Sequence, residues 1–320
     1  MKPQPLVTIV TPTYNRANYI LETVASILEQ GYPNLEYIVL DDGSTDDTLE
    51  VLQKYKSHIV LETHSNMGEA ATVNKGFSMA RGDIIAVVNS DDPLLPGAVN
   101  TMVEFMARYS QVGVAYPDWN MIDARGKIIS HVQTWEYDYL AMLRQHYCIP
   151  GPGVFFRRSI LEPLKGRDAK FRYVSDFDFW LRAGLLTSFA RVSKTLATFR
   201  SHPDSASTNQ VGRRMAQEHI ALIDKIYSLP NLPTEVMSAK KEAFGSAYYI
   251  AGYVCEPGDL PARKQYFRKA ILLSPVKYLT EYRRSRLLNI ILPAFFPFLQ
   301  KAIYKFKKIK RQLLHETPSV

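Results

Sequence analysis

The run Ile84-Ile85-Ala86-Val87-Val88 stops abruptly on Asn89-Ser90-Asp91-Asp92-Pro93, and no other stretch limits the fold so strongly. Consecutive β-formers without a polar face read as a buried strand of a parallel sheet, covered by helices on both sides. Acids at the C-terminal end of such a strand enter the crevice where open α/β sheets bind ligands. Left unpaired, Asp91 and Asp92 repel each other. A hard divalent cation such as Mg²⁺ or Mn²⁺ turns that repulsion into binding and often bridges to substrate phosphates. A helix cap or turn ahead of Pro93 is the plainer account of the same acids.

The neighbouring sequence favours the first account. From Leu6 to about Asp118 short apolar strands alternate with amphipathic helices, the pattern of β-α-β units and a parallel sheet. Expected strands are Leu6 to Val10, Leu35 to Leu40, His58 to Glu62 and a central one ending at Asp91. The intervening helices are placed by Ile20, Val24, Ile27 and Leu28, by the span from about Asp46 to Tyr55, and by Glu69 to Ala80. Three strands thus deliver polar loops to one edge. These loops contain no GxGxxG after the first strand and no GxxxxGK[ST], so a dinucleotide dehydrogenase and a P-loop enzyme are disfavoured. A diphosphate without a glycine cradle needs another counter-charge, which acids supply through a metal.

Taken in order, Val7-Thr8-Ile9-Val10-Thr11-Pro12-Thr13-Tyr14-Asn15-Arg16, Asp41-Asp42-Gly43-Ser44-Thr45-Asp46, Asn66-x-Gly68 with Asn74-x-Gly76, and Gly82-Asp83 leading into Asn89-Ser90-Asp91-Asp92 resemble a family 2 glycosyltransferase with the GT-A fold. The resemblance implies a mostly parallel Rossmann-like α/β sandwich and an inverting transferase that uses a nucleotide-diphospho-sugar, a UDP-sugar first among them, with Mn²⁺ or Mg²⁺. It assigns Pro12, Thr13 and Tyr14 to the base and ribose, one or both of Asp41 and Asp42 to the nucleobase, and Arg16, Asn66, Asn74 and Ser90 to the same donor site. Asp91 falls on the last acid of the family's DxD motif and is the first metal ligand, with Asp92 beside it. Two positions depart from the pattern: Asn89 stands where the family often has the first Asp, and Val73 where many members carry an arginine.

After Asp118 the alternation weakens and Trp119, Trp135, Tyr137, Tyr139 and Tyr147 appear, a region that shapes the acceptor side in similar enzymes; any one of these aromatics is equally an ordinary core residue. The turn-rich Cys148 to Gly153 leads to a strand at Val154-Phe155-Phe156. In Ser175-Asp176-Phe177-Asp178, Asp176 is either an N-cap or the general base that takes the acceptor proton. The resemblance aligns it with the catalytic acid of the family and leaves Asp178 structural. Arg200 and His202 alternate along an extended stretch, so they face one side. That side suits a diphosphate for Arg200 and the metal for His202.

The expected organisation is a glycosyltransferase domain over 1–210, divided into a nucleotide-sugar half (1–118) and an acceptor half (119–210), then a helical region over 211–286 and an apolar, basic tail over 287–320. Much of the net charge of +8 lies near the C-terminus, from Arg283 through Lys301, Lys305 and Lys310 to Arg311. Localised charge of this kind argues against a nucleic-acid groove. Leu287 to Leu299 is too short and too proline-broken to span a bilayer, but beside lysines it suits the surface of an anionic membrane. Two cysteines without a pairing or metal spacing, and no leading apolar segment, suggest the cytoplasmic side. The function expected is transfer of a sugar to a glycan or lipid-linked acceptor in cell-surface polysaccharide synthesis. The alternatives are a non-catalytic glycan-binding or assembly subunit that retains the fold, and a sugar-nucleotide nucleotidyltransferase, which would carry a glycine-rich basic loop where Thr11 to Arg16 has no glycine.

Overall fold

The computed structural model describes residues 4–203, 205 and 212–279. Strands β1 (Val7–Thr13), β2 (Leu35–Asp41), β3 (Val60–Thr63) and β4 (Ile84–Val87) alternate with helices α1 (Ile20–Leu28), α2 (Thr48–Leu52) and α3 (Glu69–Met79). Then follow α4 (Ala98–Arg108), β5 (Val112–Ile122), β6 (Ile128–Val132), α5 (Tyr139–Gln145), β7 (Phe155–Arg157), α6 (Leu161–Leu164), α7 (Ser175–Gly184) and β8 (Ser188–Arg200). Helices α8 (Arg213–Ile226), α9 (Thr234–Ser238), α10 (Lys240–Val254), α11 (Leu260–Leu273) and α12 (Pro275–Leu279) complete the described chain.

The sheet order is β3-β2-β1-β4-β7-β5-β6, with β8 also paired to β5. Pairing is parallel among β1 to β4 and between β5 and β8, and antiparallel where β7 meets β4 and β5. Two antiparallel steps restore direction, so β5 and β8 run the same way as β4. The C-terminal ends of β1, β2, β4, β5 and β8 therefore reach one edge. Because β2 and β4 flank β1 on opposite sides, the chain reverses its order at β1 and β4, where open α/β sheets have their binding crevice.

Burial on both faces accounts for the continuous apolar runs. On one face Ile20, Val24 and Ile27 of α1 and Val99 and Met102 of α4 pack on Val7, Ile9, Ile84 and Ala86. On the other, Ile85, Val114 and Phe156 meet Phe77 of α3 and Trp180 of α7. Leu222, Ile223 and Ile226 of α8 and Ala243 and Ala247 of α10 join this second cluster, so the later helices share a core with the sheet. Helix α3 crosses β1 closely: a Cβ on Gly76 would lie 2.3 Å from Val10 Cγ1.

The structure moves several expected boundaries. β1 continues through Pro12 to Thr13. The Val10 carbonyl faces β4, accepting from Val88 N at 3.0 Å, and Pro12 faces the same side beyond the end of β4, where its missing N–H costs no ladder bond. The central strand stops at Val87 rather than Asp91, because Asp92 N turns back to the Asn89 carbonyl at 3.2 Å. The long β5 and β8 were not anticipated. Their pairing is interrupted near Pro117 and Asp118, which hides the strand periodicity. Among the described residues no helix is long and apolar enough to cross a membrane, and the expected tail at 287–320 lies outside them.

Candidate active site at the C-terminal strand edge

Asp91 follows β4 at the point where the strand order reverses, and it gathers residues from two other strand ends. His202, just beyond β8, brings Nε2 to 2.9 Å from Asp91 Oδ2, and Arg16, beyond β1, brings Nε to 3.4 Å from the same oxygen. The Tyr19 ring lies 4.6 Å from that of His202, and the Arg200 guanidinium 5.1 Å from Tyr19. Arg200 and His202 thus face one side, as the alternation implied, but their side chains do different things.

Arg200 is 2% exposed. Its guanidinium donates to Glu22, to the Asp91 carbonyl at 3.0 Å and to the carbonyls of Asp123 and Ala124. So engaged, it is a strut under the site and does not present a cation to a diphosphate. Asp92 also turns inward: Oδ1 accepts the Arg200 N–H at 2.8 Å and Oδ2 accepts the Asn89 amide at 3.0 Å. Burial, and then the Asp91 charge, push its carboxyl well above the usual range. Asp92 joins β4 to β8 and is poorly placed as a metal ligand.

The β2 acids act in the same way. Asp41 is fully buried, accepting from Ser44 N and, at 2.8 Å, from Thr63 Oγ1. Asp42 takes Met67 N at 2.7 Å and Gly68 N at 3.0 Å, while Asn66 Nδ2 donates to the Asp42 carbonyl. These acids organise the loops around the crevice, and the assignment of Asp41 to a nucleobase does not fit its sealed position. Gly43 is required here: its φ is +75°, and a Cβ would meet Asn66 N at 2.9 Å. Asn74 is likewise occupied, clasping Arg167 by accepting from its N–H at 2.7 Å and donating to its carbonyl at 2.8 Å. Ser90 is buried and its carbonyl accepts from Thr23 Oγ1. Pro12 and Thr13 are buried at the end of β1, Thr13 Oγ1 without a hydrogen-bond partner, whereas Tyr14 is 44% exposed at the rim.

Beside this cluster lies a pocket of about 160 Å³. It is lined by Asn89 and Asp92 after β4, by Glu69 and Arg167, and by Asp176 and Trp180 of α7. Asp176 is exposed at the start of α7, and Oδ1 accepts the Phe177 N–H at 2.7 Å. Asp178 is fully buried between Arg182 at 2.7 Å and Lys225 at 2.7 Å, a structural arrangement. Glu69 and Arg167 are pocket residues that no sequence pattern indicated. Enclosure raises the Glu69 carboxyl, and the charges of Asp176 and Asp91 add to the rise against the opposing Arg167. A larger groove of about 450 Å³ lies along α8, but its Asp168, Lys225, Arg214 and Glu218 pair with one another, away from the strand ends.

Of the expected aromatics, Tyr137 stacks on Phe189 at 4.3 Å, and the Tyr137 and Tyr139 hydroxyls are buried. Trp119 packs at 5.7 Å from Phe199. Trp135 and Tyr147 are exposed, their rings 5.0 Å apart.

The donor set that would hold a divalent cation is the Asp91 carboxylate and the His202 imidazole, which are hydrogen-bonded to each other in this structure. Their 2.9 Å separation is that of adjacent ligands around a small cation, about 3 Å. Oδ1 of Asp91 carries no hydrogen bond among the described residues. Among the described residues no three acids, histidines or cysteines converge there, so a cation held by this pair would complete its shell with phosphate oxygens and water, as Mg²⁺ commonly does. On this chemistry the pair fits.

Residues 8–164 match the family model described as Glycosyl transferase family 2. Over 112 residues the chain is 38% identical to a putative teichuronic acid biosynthesis glycosyltransferase of Bacillus subtilis, covering 33% of this chain and 44% of that protein. It is 28% identical over 219 residues to the chondroitin synthase of Escherichia coli, covering 66% of this chain and 31% of the synthase. The chain therefore spans under a third of that relative's length. Among solved structures, S. aureus TarS 1-349 in complex with UDP-GlcNAc aligns with a TM-score of 0.66 and 17% identity, covering 94% of this chain and 88% of that one. The mannosyltransferase PcManGT from Pyrobaculum calidifontis, in complex with GDP-Man and Mn²⁺, aligns with a TM-score of 0.57 and 19% identity, covering 95% and 87%. At such identities the structural likeness shows the fold, which is the GT-A arrangement. Through residues 8–164, the chain belongs to glycosyl transferase family 2.

Proposed function

We propose that the protein is an inverting glycosyltransferase of polysaccharide synthesis, which moves a sugar from a nucleotide-diphospho-sugar to a glycan or lipid-linked hydroxyl with the help of a divalent cation. The observation that carries this reading is one pocket at the strand edge, lined by Asp176 together with Asn89 and Asp92, the flanks of Asp91. The family relatives named for polysaccharide synthesis support the class. The solved neighbours' nucleotide-sugar complexes, one with Mn²⁺, support the donor and the metal.

Asp176 is the general base. Its Oδ1 is fixed by the Phe177 amide, while Oδ2 has no hydrogen bond among the described residues and remains able to take the acceptor hydroxyl's proton as that oxygen attacks. Asp91 and His202 would hold the cation. When bound, the cation neutralises charge developing on the departing diphosphate. Arg16, beside Asp91, adds a second positive charge at that end of the site. Tyr14 at the rim offers a face to the nucleobase, and the exposed Trp135 and Tyr147 pair offers one to an acceptor sugar.

Hydrolysis of a nucleotide-sugar panel with Mn²⁺ or Mg²⁺ tests the reading. Slow, cation-dependent release of nucleoside diphosphate from one donor is expected, with at least about a hundredfold loss in Asp176→Asn. Donor-independent behaviour, or full activity in Asp176→Asn, would refute it.

A further inference from the structure

Glu69 and Arg167 line the pocket beside Asp176 and have no part in the displacement itself. Arg167 is held with care. Its backbone is clasped by Asn74 through two hydrogen bonds, its side chain is only 8% exposed, and Nη1 donates to Glu69 Oε1 at 3.0 Å. Nε is buried without a partner, and Nη2 has none among the described residues. Half of the Glu69 side chain is solvent-exposed. The pair is therefore not needed to tie its loop to α3, which the Asn74 clasp already does, and both members keep hydrogen-bonding capacity facing the same small space.

An ion pair with one spare donor edge and one spare acceptor oxygen suits vicinal hydroxyls, each of which donates to a carboxylate or accepts from a guanidinium. The same pocket has apolar lining from Val87, Val154, Trp180 and Phe199, which suits the C–H face of a sugar ring. Charge excludes the obvious competitor. Glu69 and Asp176 outnumber the one arginine lining the pocket, so an acidic sugar meets net repulsion. Position selects the donor: Asn89 and Asp92 line the pocket and flank Asp91, so a sugar one bond from a phosphate held at Asp91 falls here.

Resting on the glycosyltransferase reading, we propose that Glu69 and Arg167 form the subsite that recognises the donor sugar, selecting an uncharged hexopyranose through two adjacent hydroxyls. The test is calorimetric titration and donor hydrolysis on the full chain: wild type, Glu69→Gln, Arg167→Met and the charge-keeping Arg167→Lys. The probes are UDP, UDP-glucose, UDP-galactose, UDP-N-acetylglucosamine, UDP-glucuronate, GDP and GDP-mannose. Wild type is expected to prefer one uncharged sugar over its epimer and over UDP-glucuronate. In Glu69→Gln and Arg167→Met that preference should shrink roughly tenfold to a hundredfold, with affinity for the bare nucleotide unchanged and Arg167→Lys intermediate. A purely structural pair would lower every affinity together or none. Donor turnover with wild-type preference retained in both variants removes this inference alone. If wild type binds no nucleotide and no nucleotide-sugar, the glycosyltransferase reading falls and takes the inference with it.

Discussion

Adjacent acids with unlike roles define the site at the level of single residues. Asp91 faces His202 and Arg16, whereas Asp92 is buried and takes the Arg200 N–H. Asp92→Ala should therefore destabilise the fold by about 1–3 kcal/mol, because it strands a buried donor. Urea unfolding would show a lower midpoint with an unchanged slope, and an unshifted midpoint would contradict this role. Arg200→Met removes a guanidinium that joins α1, the β4 turn and the end of β5. Glu22 remains half exposed, which discounts the usual cost of a broken buried pair, so about 2–3 kcal/mol is expected, read from the same unfolding curves. The sequence located these residues but not their directions. Asp91 and Asp92 look alike as letters, and only the turn at Asn89 sends one outward and the other in. Glu69 and Arg167 were invisible because the contact between them joins positions 98 apart in the chain.

Among the elements, the first four strands were legible because parallel strands buried on both faces leave unbroken apolar runs. β5 and β8 were not, since Pro117, Asp118 and the register shifts there break the alternation. Helix α3 shows why Asn74-x-Gly76 matters as spacing: the asparagine clasps Arg167 while the glycine lets the helix approach β1. Gly76→Ala would drive a methyl into Val10 and should cost about 1–3 kcal/mol by overpacking, measured by thermal or denaturant unfolding. A second device links α5 to α8. His146 Nε2 and His219 Nδ1 lie 2.8 Å apart, and their outer nitrogens, His146 Nδ1 and His219 Nε2, are buried without partners. Burial lowers both pKa values, His146 well below the usual range with help from His219 and Lys277, and His219 to about 4. In the unfolded chain both would take up protons near pH 6.5, so the native state binds fewer protons between there and about pH 4. Stability contributed by this pair is complete above about pH 6.5 and is lost as pH falls through that window. Denaturation midpoints at pH 7.5 and 5 should differ, and the difference should shrink in His219→Phe.

For the molecule as a whole, the sheet edge is assembled from both halves: β1, β2 and β4 bring Arg16, Asp42 and Asp91, while β8 and α7 bring His202 and Asp176. The shared core of α7, α8, α10 and the sheet holds these contributions in one frame. In the proposed function, Asp91 anchors a metal-bound diphosphate while Asp176 acts only on the acceptor proton. Titration of the nucleoside diphosphate of the active donor, with and without Mn²⁺, separates the two roles most directly. Wild type and Asp176→Asn should bind it in a Mn²⁺-dependent manner with similar affinity, although Asp176→Asn no longer turns over donor. Asp91→Ala should lose the Mn²⁺-dependent part. Equal Mn²⁺-dependent binding by wild type and Asp91→Ala would contradict the account.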